Sequence, residues 1–94
     1  MRDPSGPELL LFARALLPIA PEARGRTAAR ILQEVEAADR HFLGRGCSHP
    51  DFGDGSLMAR CLLLSPPAEP LARDPDFLAA TMIACNALLQ HFKA

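Results

Sequence analysis

The sequence predicts an all-α fold, a small irregular or orthogonal bundle of four helices, on three observations. Strand formers are scarce: the 94-residue chain has one Val, three Ile and two Thr, and neither Trp nor Tyr. Its apolar half is built mainly from 15 Leu and 16 Ala, residues that lose little rotamer freedom in a helix. Prolines and glycines fall mostly between the apolar stretches and divide the chain into four helical segments, near residues 6–17, 21–43, 55–64 and 75–92. A chain of this length supports one core, so a single domain over residues 1–94 is expected.

The first helix opens at Ser5, with Glu8 three residues on and Pro7 between them. That is capping-box spacing, and proline suits the first turn because its missing N–H has no partner there anyway. Pro18 ends it. The second runs from about Pro21 toward Gly44 and places Ala28, Ile31, Val35, Ala38 and Phe42 on one face, with Arg26, Arg30, Gln33 and Arg40 opposite. A short third helix starts at Asp54 or Ser56 and carries Leu57, Met58, Cys61 and Leu62. Residues 65–73, SPPAEPLAR, form an extended proline-rich strap, since each proline also disfavours helix in the residue before it. Asp74, Pro75 and Asp76 then supply a cap, a first-turn proline and a carboxylate at the positive end of the fourth helix.

On that fourth helix Phe77, Thr81, Ala84, Cys85, Leu88 and Phe92 share a face, which Leu78, Met82 and Leu89 widen. Helix one is nearly as apolar, through Leu9, Leu10, Leu11, Phe12, Leu16 and Leu17. A domain this small buries only about 60 to 65% of its extended surface. Two such helices therefore predict either one central helix or a protein partner, itself a second copy or another chain, on the apolar face of helix one or helix four. Helices two and four are expected to make the main core contact.

Ten basic and eleven acidic side chains give a net charge of −1, which argues against nucleic acid as a partner. Three scattered cysteines, without a CxxC, fit a reducing compartment. Neither the Leu9–Leu17 run, interrupted by Arg14, nor the 16 residues from Phe77 to Phe92 reads as a leader or a membrane span, and a span needs about 20 residues. The expected location is the cytoplasm, with no membrane association.

Most reactive side chains lie in one glycine-rich stretch, residues 44–56, GRGCSHPDFGDGS. Cys47, His49, Asp51 and Asp54 are donor types for a metal, but a second zinc-ligand pair is missing unless His41 or Cys61 joins them, and the carboxylate spacing is not that of an EF-hand. Cys47 or Ser56 beside His49 could be a nucleophile, yet no GxSxG or cysteine-protease pattern surrounds them. Gly53 to Ser56 leads into a helix start suited to anions, where Asp51 and Asp54 would repel a phosphate. No cofactor or metal is implied. Asp39 falls at the edge of the apolar face of helix two, so it needs hydrogen bonds or an arginine, and it is expected to pin the glycine-rich loop. Asp39, His49, Asp51, Asp54 and Ser56 are thus the candidate ligand-binding residues. His41 is expected to be solvated, Arg24, Arg26 and Arg30 to form a small basic patch, Glu36 and Arg40 to pair, and His91 to flank helix four.

Ala37–Asp39 (AAD), GxxHPxFGDGSLMA from Gly46 to Ala59, LLPIAPEAR at Leu16–Arg24 and DPDF at Asp74–Phe77 together resemble a family of short uncharacterised alphaproteobacterial proteins. The resemblance implies a helical bacterial cytoplasmic protein and carries no activity with it. The expected function is a non-catalytic interaction module, as homodimer or adaptor. The alternative is a small ligand-binding or enzymatic domain with its site at Asp39 and the His49–Ser56 loop.

Overall fold

The computed structural model describes residues 1–93. It is an all-α bundle of four helices, α1 (Gly6–Leu16), α2 (Arg24–Arg45), α3 (Leu57–Leu62) and α4 (Pro75–Lys93), with a 3₁₀ turn, Pro21–Ala23, leading into α2. The start of α1 is a complete capping box: the Ser5 hydroxyl accepts from the Glu8 amide, and the Glu8 carboxylate accepts from the Ser5 amide. Gly46 ends α2 in the left-handed region, at φ 70°, where its amide reaches the Phe42 carbonyl. Ser56 caps α3, and the Asp74 side chain accepts from the Phe77 amide at the start of α4. Between these helices the proline strap lies on the surface, held where Arg14 Nε donates to the Pro67 carbonyl at 2.8 Å.

The core is centred on α1, which buries Leu11, Phe12, Ala13, Ala15 and Leu16. Its partners are Ala28, Ile31, Leu32 and Val35 of α2, Leu57 and Cys61 of α3, and Phe77, Ala80 and Ala84 of α4. The most extensive helix contact is α1 with α4, followed by α2 with α4, which corrects the expected primacy of helices two and four. Four alanines of the core belong to α1 and α4, Ala13, Ala15, Ala80 and Ala84, and small side chains let those two axes approach closely.

Two assignments of inward faces change. Phe42 is 38% exposed instead of completing the core face of α2. The 22 residues of α2 extend roughly 33 Å at 1.5 Å per residue, most of the 42 Å long dimension of the molecule. Its last turns carry the exposed Phe42 and Leu43, and there the Arg2 guanidinium sits 6.0 Å from the Phe42 ring centroid. On α4 the inward residues are Phe77, Ala80 and Ala84, while Cys85 and Phe92 point outward. An all-round apolar helix does not reveal from its own periodicity which edge faces the core.

Candidate functional site

The glycine-rich loop is organised by its own side chains. His49 Nδ1 accepts from the amides of Asp51 at 3.0 Å and Phe52 at 3.2 Å, so the ring proton resides on Nε2. An antiparallel bridge between His49 and Gly53 closes the turn. Asp54 Oδ1 accepts from the Ser56 amide at 3.0 Å and hydroxyl at 2.7 Å and pairs with Arg2 at 2.7 Å. The Ser56 hydrogen bonds, with Arg2 adding to them, hold the Asp54 carboxyl below its ordinary pKa. The Ser56 hydroxyl in turn caps α3 through the Ala59 amide. Asp51 is exposed, and its part in the turn is played by its amide.

A stack of rings connects this loop to the helices. The Phe52 ring lies on His49 with centroids 4.6 Å apart and planes 10° apart. Its other neighbour is the Arg60 guanidinium, 5.3 Å from its centroid. Arg60 is nearly buried and donates twice to Glu34 Oε1, at 3.0 and 2.9 Å, tying α3 to α2. His41 is half-buried rather than solvated: it meets His49 edge-on at 5.1 Å and bonds the Cys47 carbonyl at 3.1 Å.

Asp39 is half-buried as its position on the wheel requires, but its hydrogen bond goes to the Met1 amino group at 2.9 Å and not to a loop amide or an arginine. The loop meets it by packing. A Cβ at Gly55, whose φ is 95°, would lie 2.7 Å from Asp39 Cα, so the chain passes there only as glycine. Glu36 shares the Met1 amino group and also takes Nε2 of His91 at 2.7 Å, in place of the expected pair with Arg40. Burial works against the Glu36 carboxylate, but the hydrogen bonds from the Met1 amino group and His91 outweigh it and hold its pKa down. The structure thus gathers His49, Asp54 and Ser56 in one turn and sets Asp39 behind it, with each of those four side chains bonded within the fold. Among the described residues no three His, Cys, Asp or Glu side chains are grouped so as to hold a metal ion.

Arg24 corrects the basic patch. It is buried, and its guanidinium donates to the carbonyls of Leu16, Leu17 and Ile19 and to both oxygens of Asp76. It closes the C-terminus of α1 and anchors the N-terminus of α4. Glu8 does similar work at the other end, because its second oxygen accepts from the Met58 amide of α3 at 3.0 Å. Neither long-range role has a local sequence signal. Cys61 is buried among apolar side chains, which pushes its thiol pKa up to about 12, so it is no nucleophile.

An exposed apolar surface at regular helical spacing lies on α4. Leu78, Met82, Cys85, Leu89 and Phe92 are all exposed, Met82 to 73% and Leu89 to 60%. Their spacing of four, three, four and three residues draws one narrow stripe along the helix, opposite Ala80 and Ala84. That heptad spacing was the available signal, and it was hidden by the neighbouring apolar residues.

The family model described as a domain of unknown function, DUF7742, matches residues 8–88. The chain belongs to this family. No curated protein and no solved structure matches it. The matched segment of this family domain contains the Glu8–Met58, Arg24–Asp76 and Glu34–Arg60 ties and the whole glycine-rich loop. The Met1 and Arg2 contacts lie before it.

Proposed function

We propose that this protein is a non-catalytic interaction module, working as a homodimer or adaptor, whose binding surface is the outer face of α4. The observation that carries the reading is the exposed stripe from Leu78 to Phe92, an apolar face left in water by a domain that has already filled its core. Of the two helices considered as docking elements, α1 is consumed by the core, which leaves α4. Other exposed leucines, Leu62, Leu63 and Leu64, follow one another at the end of the short α3 and lack the heptad spacing of the α4 stripe. Against a catalytic role for the glycine-rich loop stands the engagement of His49, Asp54 and Ser56 in holding their own turn together.

The resemblance on which the HPxFGDGSL stretch draws supports a bacterial, alphaproteobacterial source, and the free cysteines support a cytoplasmic location. No helix among the described residues is long and apolar enough to cross a membrane.

The test is site-specific photo-crosslinking in cells, with a benzophenone amino acid at position 89 and, as control, at the exposed position 26 on α2. The interaction reading expects a discrete protein adduct from 89 and none from 26. Equal yields at both positions, or none at either, would remove it.

A further inference from the structure

Resting on that reading, we infer that the occupant of the α4 face is the same face of a second copy, running antiparallel, with Cys85 at the two-fold axis. The stripe is symmetric about that residue to within one position. Seven residues to either side of Cys85 stand Leu78 and Phe92; three residues before it is Met82 and four after it is Leu89. Turning a second α4 end for end about Cys85 therefore sets Leu78 against Phe92, sets Met82 level with Leu88 and within one residue, about 1.5 Å, of Leu89, and sets the small Cys85 side chain against its own copy where the axes cross. An isologous two-fold contact requires a surface that complements itself when reversed in this way.

Beside the second half of the stripe is an apolar depression lined by Cys85, Leu88, Leu89 and Phe92, with Leu9 and Lys93 at its border. The first four stand at i, i+3, i+4 and i+7, the arrangement of four residues that receives one knob in helix packing at a shallow crossing angle. In the reversed register the side chain facing that hole is Met82 of the second copy, the most exposed large apolar side chain of the helix and one flexible enough to fill an irregular gap. Each copy supplies one knob and one hole.

Charge favours the same direction. Asp76 is engaged by Arg24 and His91 by Glu36 within the fold, which leaves Asp74 before the helix and Lys93 at its end as the remaining charges, and no Asp, Glu, Lys or Arg lies between positions 77 and 92. Antiparallel pairing places the acidic start of each helix near the basic end of the other and opposes their dipoles; parallel pairing sets like against like. Two stripes of five residues bury on the order of 1,000 Å², at the lower end of specific interfaces, so assembly depends on protein concentration.

The experiment uses the full chain with Cys47→Ser and Cys85→Ser, which removes both exposed thiols, and adds L78C or F92C, alone or mixed, before mild oxidation with diamide. Light scattering on the unmodified chain, over a hundredfold range of concentration, accompanies it. The inference expects a mass rising from one copy to two with concentration, a covalent dimer at least tenfold more abundant in the mixture than in either variant alone, and loss of both on adding Leu89→Glu. Covalent dimers from L78C alone and from F92C alone would mean a parallel pair and overturn the register. A single-copy mass throughout would overturn self-association. If position 89 still gives a photo-adduct with another protein, the interaction reading survives that outcome; if it gives none, both fail.

Discussion

The guanidinium of Arg24 donates five hydrogen bonds, three to carbonyls around the end of α1 and two to Asp76. A planar fork serves several acceptors at once, whereas an ammonium is a point charge with a different reach. Arg24→Lys is therefore expected to lose the bonds to Leu16 and Leu17, at a cost of about 2 kcal/mol and a fall in Tm of about 10 °C, read by thermal denaturation. The same side chain, through its hydrogen bonds to Asp76, holds that carboxyl below its ordinary pKa. A carboxyl lowered in the folded state contributes stability that is complete above the unfolded value of about 4 and lost as pH falls through the folded one. Wild type should then be more stable than Asp76→Asn at pH 7, with the difference in urea midpoint shrinking as pH falls below about 4. A gap that stays constant into acid would mean that the pair contributes nothing through its charge.

Between elements, the closest approach is that of Gly55 to α2. A methyl group there meets the backbone of Asp39, which cannot withdraw without moving the helix, and the φ of 95° is itself costly for any other residue. Gly46 also has a positive φ, 70°, but open space around the missing Cβ. Gly46→Ala is expected to cost about 1 kcal/mol and Gly55→Ala about 3 kcal/mol or more, compared by urea unfolding. Equal costs would show that conformation alone, and not the contact with Asp39, requires glycine at position 55. The caps of α1, α3 and α4 were readable in advance because Ser5, Ser56 and Asp74 each act within three residues of themselves. The partner of Asp39 was not, since the Met1 amino group is 38 residues away along the chain.

For the molecule as a whole, α1 and α2 each touch the other three helices, and α1 holds the fully buried Phe12. Phe12→Ala should cost about 3 to 5 kcal/mol and bring the domain close to unfolding, given the stability usual for its size. Phe92→Ala, at an exposed position, should change the unfolding free energy of the single copy by about 0.5 kcal/mol or less, read by urea denaturation. A comparable loss at Phe92 would make the outer face of α4 part of the monomer's own core. The division of information follows from the range of the forces. Fold class, the four helical segments and their punctuation were determined by the sequence itself, because rotamer freedom, capping bonds and the fixed φ of proline act over a few residues. Tertiary structure alone decided that α1 is central, that Arg24 is buried, and that the stripe from Leu78 to Phe92 faces outward, because each depends on which distant surface arrives first to cover an apolar face that local sequence leaves equally ready on every side.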